Sequence, residues 1–313
     1  MALKFRIAIV GIGGVGGYLG GKLAAKYVSS PDIEIIFIAR GENANAIRLN
    51  GLKLITSPGE ETAHPAIVTD QPETLGTVDL IICCVKSYDL ETSLRPFENC
   101  ISDKTTIIPF QNGLDAAEII KGIFPQAHIL EGCAYIISRL IAPGVVKEIG
   151  NRPQFYFGDG DEKENAKIIA SIFKAADIDM NVSDTISVTL WEKFLFISPF
   201  ATIMSCYDVC LGDILKNPGY KETLIALMTE LKTIAEANGI ILPENIIQKF
   251  LDRMAALPYE STTSMHTDFK NEKKTELNSL TVYVINLGKQ LNIPTHNYEK
   301  MLQGINERWI KKS

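Results

Sequence analysis

The segment Arg6-Ile-Ala-Ile-Val-Gly-Ile-Gly-Gly-Val-Gly16 limits what this chain can fold into more than any other. A β-branched run feeds directly into Gly11-x-Gly13-x-x-Gly16, and a helix-forming stretch, residues 18–26, follows. Strand, glycine turn and helix in that order make a cradle for a dinucleotide. The first glycine permits the tight turn, the second lets the backbone approach a pyrophosphate, and the third lets the helix pack against the strand with its N-terminal amides facing the phosphates. Gly11, Ile12, Gly13, Gly14, Val15 and Gly16 are therefore the predicted cofactor loop.

The second strand bears on which dinucleotide binds. Glu34-Ile-Ile-Phe-Ile-Ala-Arg40 is apolar and ends on an arginine. NAD-binding units usually place Asp or Glu at that end, to accept hydrogen bonds from the ribose. Glu34 lies at the opposite end, and Glu42 falls beyond the strand. A guanidinium at position 40 suits a 2′-phosphate, through paired, charge-assisted hydrogen bonds. NADPH is the predicted cofactor. A solvated arginine at a strand end is the plainer alternative.

Composition narrows the partners. The 313 residues are 46% hydrophobic, enough for two domains with cores of their own. A net charge of −6 gives no reason to expect nucleic acid or an anionic membrane as a partner. Lys4 and Arg6 interrupt the opening segment, so no secretory signal is read, and no apolar stretch approaches the length of a membrane span. The six cysteines form no CxxC pair and no Cys/His grouping, which predicts reduced thiols and no bound metal. The expected setting is the cytoplasm.

Apolar runs at 6–10, 34–39, 79–85, 105–109 and 128–130 alternate with helical patterns, and strand-like stretches follow at 144–149, 153–157 and 178–182. This alternation predicts an α/β Rossmann-type, doubly wound, mostly parallel sheet. A helix is expected at 164–175. From about Val188 the strand signals fade, and amphipathic segments occupy 188–197, 219–238, 244–256 and 275–290. Gly239 and Pro243 mark a helix stop and the next start. The expected division is a Rossmann domain over residues 1–183 and an all-helical C-terminal domain over 184–313. Aromatic residues such as Phe250 and Tyr283 leave a homodimer open.

Ligands of an open parallel sheet collect beyond the carboxyl ends of its strands. Lys86 and Asn112-Gly113 stand at two such ends. Lys86 can approach a cofactor or an anion, and Asn112 can both donate and accept. A surface lysine and an ordinary Asn-Gly turn satisfy the same pattern. In the helical half, Lys193 sits within Leu190-Trp-Glu-Lys-Phe-Leu195. A lysine partly removed from water loses proton affinity and becomes a usable general acid. It also suits a snorkelling helix surface. Ser264 and Glu276 offer a hydroxyl and a carboxylate, or equally a helix cap and a solvated face.

The combination of Gly11-x-Gly-x-x-Gly16, Lys86, Asn112-Gly113, Pro143-Gly144, Trp191-x-Lys193, Ser264-Met-x-x-Asp268 and Thr275-Glu276 resembles the ketopantoate reductase family, nearly end to end. That resemblance implies NADPH-dependent reduction of 2-dehydropantoate to pantoate in pantothenate biosynthesis. It implies Lys193 as the proton donor and Glu276 as the holder of that ammonium or of the nicotinamide ribose. Arg40 and Lys86 would contact the adenosine side or the phosphates of NADPH. Asn112 would bridge cofactor and substrate, and Ser264 would bind the substrate carboxylate.

One departure from the family pattern stands out. Asparagines usually occur four and eight residues after the catalytic lysine, where this chain has Ile197 and Ala201, with Pro199 between them. Proline in a helix interior removes a hydrogen bond and bends or ends the helix. Ser198 offers a replacement hydroxyl. An apolar lining suits a less polar 2-oxo acid, so a related reductase of such a substrate is the alternative reading. A non-catalytic NADPH-binding protein is a third, although retention of both Lys193 and Glu276 argues for a working site.

Overall fold

Short strands, those of the main sheet buried on both faces, build most of the first part of the molecule, and helices around an apolar core build the second. The computed structural model describes residues 4–150, 152–158 and 163–310. The chain divides into two compact units: Met1–Gln111 with Asp115–Ile186, and Asn112–Leu114 with Ser187–Ser313. Asn112 thus groups with the helical unit, although the sequence pattern assigns it to the Rossmann part.

The first unit opens with β1 (Phe5–Val10), α1 (Gly14–Tyr27), β2 (Ile33–Ile38) and α2 (Gly41–Asn50). The hairpin of β3 (Leu52–Thr56) and β4 (Gly59–Ala63) follows, then β5 (Ile67–Thr69), β6 (Leu80–Cys83) and α3 (Leu90–Leu94). Next come β7 (Thr106–Pro109), α4 (Ala116–Ile123), β8 (His128–Ile129), β9 (Glu131–Tyr135) and β10 (Ser138–Ala142). The unit ends with β11 (Val145–Glu148), β12 (Gln154–Gly158), α5 (Lys163–Ala175) and β13 (Asp179–Ser183).

Six strands pair in parallel in the order β5-β2-β1-β6-β7-β8. Alternate residues point to opposite faces of a strand, and here both faces are covered. Ile7, Ile9, Phe37 and Ile82 pack with Leu19 and Leu23 of α1 on one side. Ala8, Val10, Ile81 and Cys83 pack with Leu90 and Leu94 of α3 on the other. Strand order reverses between β1 and β6, and the crevice beyond their C-terminal ends is where such a sheet takes its ligand. Arg6 and Glu34 pair at 2.8 Å near the opposite ends of β1 and β2, which accounts for Glu34 without a cofactor.

The later strands do not extend this sheet. They form two smaller ones, β10-β11-β3-β4 and β13-β12-β9, each with antiparallel pairs. β11 alternates between covered and exposed residues, the pattern of a strand with one open face. Such a pattern reveals the strand but not its partner.

The helical unit contains α6 (Ile186–Tyr207), α7 (Leu211–Lys216), α8 (Pro218–Ala237), α9 (Ile246–Ala255), α10 (Ser264–Lys270), α11 (Tyr283–Leu291) and α12 (His296–Ile305). A π-helical stretch, Asn278–Val282, leads into α11. At the start of α8, Asn217 accepts hydrogen bonds from the Gly219 and Tyr220 amides, and Pro218 takes the first helical position.

Two expectations fail at α6. Pro199 neither ends the helix nor confines it to 188–197: the helix runs on to Tyr207. Phe194, Leu195, Phe200, Ala201, Ile203 and Met204 are all buried in one core, and burial on that scale outweighs the one backbone hydrogen bond that proline removes. The helix is also long and apolar enough to cross a membrane by composition, contrary to the sequence reading, with 61% of its most apolar stretch buried.

A buried polar clamp crosses this core. Ser198 Oγ donates to the Leu280 carbonyl at 2.6 Å and lies 2.8 Å from the Tyr298 hydroxyl, and Thr202 meets Thr281 at 2.7 Å. The clamp ties α6 to the π-helical stretch and to α12. Ser198→Ala leaves the Leu280 carbonyl without this donor and takes one partner from Tyr298. It is expected to lower unfolding stability by about 1–3 kcal/mol in a urea titration.

Candidate active site

The glycine loop is shaped by steric necessity. Gly11 has φ +91°, and a β-carbon there would lie 2.7 Å from Val85 Cγ1 and 2.8 Å from the Val85 nitrogen. A β-carbon on Gly16 would collide with the Gly11 carbonyl oxygen and press on Cys84 Cβ. The turn after β1, the start of α1 and the end of β6 are therefore in close contact. Gly13, by contrast, opens onto space, with no atom within 4 Å of where its β-carbon would be.

That open position is the N-terminal boundary of α1. No side chain caps this helix, and its first turn carries no acidic residue. The first amides of a helix have no partner within it, and the helix dipole places partial positive charge there. Beside it, Ser138 Oγ is buried without a hydrogen-bond partner and lies 3.0 Å from a β-carbon built on Gly14. An uncapped helix start rimmed by backbone, with no acidic residue in its first turn, fits a pyrophosphate.

Lys86 follows Val85 and is half-buried. The backbone leading to it is anchored by Gln111, a residue to which sequence reasoning gave no role. Its buried side-chain amide donates to the Cys83 carbonyl at 3.2 Å and the Val85 carbonyl at 3.1 Å. A polar residue directly after the apolar run Ile107–Phe110 is the signal that could have found it. Burial pushes the Cys83 thiol up to about 11, which keeps it protonated and unreactive at neutral pH. Arg40 stands just before α2 with its side chain 80% exposed, 3.6 Å from Asp89. Such exposed pairs are weak, so the guanidinium is available to an incoming anion.

In the helical unit, Asn112 Nδ2 donates to Glu276 Oε2 at 3.4 Å. Glu276 is only 2% exposed and precedes the π-helical stretch held by Ser198 and Thr202. Lys193 lies on α6, half-buried, between buried Trp191 and Phe194. Phe194 meets Tyr283 edge to face, so α6 and the start of α11 pack closely beside the lysine.

Ser264 opens α10 and is exposed. The cap of that helix is Thr263, whose side chain accepts from the His266 amide, so Ser264 is not committed to capping. His266, another residue missed in the sequence, anchors this segment: its ring nitrogens lie 2.7 Å from Thr262 Oγ1 and 2.8 Å from Asp208 Oδ1. Ser198 is not a substitute for the missing asparagines. It is fully buried, and its hydroxyl is occupied by Leu280 and Tyr298. Ile197 is half-buried and Ala201 lies within the core.

Residues 7–162 match the family described as ketopantoate reductase PanE/ApbA, and residues 185–308 match its C-terminal domain. The chain belongs to the ketopantoate reductase family. It is an oxidoreductase. The Bacillus subtilis protein named uncharacterized oxidoreductase YkpB is 27% identical over 92% of this chain and 93% of its own. The crystal structure of 2-dehydropantoate 2-reductase from Porphyromonas gingivalis W83 superposes with a TM-score of 0.84 at 30% identity, covering 96% of this chain and 99% of that one. The ternary structure of D-mandelate dehydrogenase with NADH and anilino(oxo)acetate shares the fold at 23% identity, with a TM-score of 0.84 over 98% of this chain and 99% of its own.

Within this ketopantoate reductase family member, Gly11→Ala is a direct test of the loop geometry. The added methyl meets both an unfavourable φ and the Val85 backbone. It is expected to cost about 2 kcal/mol or more of unfolding stability and to abolish any rise in melting temperature on adding a nicotinamide dinucleotide, NADH or NADPH.

Proposed function

We propose that this chain reduces 2-dehydropantoate to pantoate with NADPH, serving pantothenate biosynthesis. The observation that carries the reading is Asn112 hydrogen-bonded to buried Glu276, in the unit that also places Lys193 on α6. An amide, a carboxylate and an ammonium are what a polar 2-oxo acid and its reduction require.

NADPH, when bound, supplies hydride to the C2 carbonyl carbon. In this reading the first unit holds the dinucleotide, with the loop Gly11–Gly16 and the α1 amides taking the pyrophosphate. Arg40 takes the 2′-phosphate and Lys86 a phosphate. In the helical unit, Lys193 stabilises the negative charge that grows on the carbonyl oxygen and then donates the proton to it. Glu276 favours the charged lysine and orients Asn112, which bridges substrate and cofactor. Ser264 donates its hydroxyl hydrogen to the substrate carboxylate. The free cysteines suit a reducing cytoplasm.

The half-buried Ile197, the withdrawal of Ala201 into the core and the engagement of Ser198 elsewhere leave no polar group available at these positions of α6, which favours a second reading in which the substrate is a less polar 2-oxo acid. The D-mandelate dehydrogenase structure, with its aromatic oxo-acid ligand, is consistent with that breadth.

NADPH consumption with 2-dehydropantoate, set beside branched and aromatic 2-oxo acids, separates the two. Preference for 2-dehydropantoate supports the first reading, and preference for an apolar acid supports the second. With the preferred acid, Lys193→Ala is expected to lower kcat by about 100-fold or more, as loss of a general acid does. An unchanged kcat removes Lys193 from the mechanism. Arg40→Ala is expected to raise the Kd for NADPH about tenfold or more while leaving that for NADH nearly unchanged, since only the 2′-phosphate loses a charge-assisted bond.

A further inference from the structure

The glycine loop is held from outside by one side chain that the reaction itself does not use. Asn43, in the first turn of α2, donates from Nδ2 to the Ile12 carbonyl at 2.9 Å. Its Oδ1 accepts from the Gly144 amide at 2.8 Å. The donor and acceptor ends of the amide are thus both assigned by their partners. Gly144 is itself fixed: its carbonyl accepts from the Lys53 amide of β3 at 2.8 Å, and its φ of +72° suits the Pro143-Gly144 turn between β10 and β11. That turn stood out in the sequence and had no role in the site.

The consequence lies in the Ile12–Gly13 peptide. A trans peptide is planar, and its C=O and N–H point in opposite directions. When Asn43 draws the Ile12 carbonyl to one side, the Gly13 N–H is turned to the other. Gly13 is the loop residue that opens onto empty space at the start of α1. A flip of this peptide would aim a carbonyl oxygen at the position proposed for the pyrophosphate, and repel it.

We propose that Asn43 is a positioning residue: anchored by Gly144, it fixes the Ile12–Gly13 peptide so that the Gly13 amide faces the dinucleotide pyrophosphate. The inference rests on the dinucleotide reading of the loop. Because the pyrophosphate is common to NADPH and NADH, the effect is independent of the 2′-phosphate, and so of Arg40.

Asn43→Asp keeps an acceptor for Gly144 but replaces the donor to Ile12 with a carboxylate oxygen. Asn43→Ser shortens the side chain and loses both bonds. Binding of NADPH and of NADH is measured by nicotinamide fluorescence, together with the ligand-free melting temperature and the KM for the 2-oxo acid at saturating NADPH. Both variants are expected to weaken the two dinucleotides by the same factor, about tenfold or more, with an unchanged KM and a melting temperature close to that of the parent. Unchanged dinucleotide affinity overturns the proposal. So does a loss confined to NADPH, which would place the effect at the 2′-phosphate. A parallel rise in KM and fall in melting temperature would show a general structural role and overturn it as well. If the unaltered protein binds neither dinucleotide, the reading of the loop itself fails, a result distinct from all of these.

Discussion

The first unit depends on how closely α1 approaches the ends of β1 and β6. Three backbone segments meet there with no room for a side chain at Gly11 or Gly16. This contact puts the uncapped end of α1 over the point where strand order reverses, and the sheet supplies the rigidity behind it. Gln111 secures the third segment by bonding the carbonyls of Cys83 and Val85, so that Lys86 emerges from a fixed backbone. The recess is made almost wholly of main chain. Side chains act mainly by holding that main chain in place.

The helical unit solves a different problem. Its core is apolar around α6, and several of the polar side chains it buries are satisfied in pairs, though the buried Ser205 hydroxyl is not. Ser198 and Thr202 reach across to Leu280 and Thr281, and Tyr298 completes the group. These bonds fix the π-helical stretch that begins just after Glu276. Buried polar groups with partners lock one arrangement of neighbouring helices, because any slip would leave them unpaired. Glu276 and Lys193 thus stand on backbone that the clamp holds, and the position after Lys193 that looked available for substrate is used to build the frame.

Much of the parallel sheet was readable from the chain, because strands buried on both faces appear as unbroken apolar runs such as Ile7–Val10 and Leu80–Cys83. The small sheets were less so. β3, β4 and β10 are short and partly exposed, and nothing local states which strand each will join. Pro199 misled for a related reason: a local rule about proline was weighed without the core that α6 enters. Ser198 shows the same limit at the level of one atom. A hydroxyl five residues after a lysine looks like a ligand until its partners, 82 and 100 residues away, are in view.

Sequence by itself determined the glycine loop, the arginine closing β2, the change from strands to helices near residue 188 and the lysine and glutamate of the helical unit. These are set by local sterics, periodicity and residue chemistry, which a linear string carries. Tertiary structure alone decided which polar groups are free to meet a ligand and which are spent on the frame. Asn43, Gln111 and His266 find their partners between 26 and 101 residues away, apart from the short link to Thr262. Pairing at that range depends on how sheets and helices pack, and packing is a property of the whole fold rather than of any segment in it.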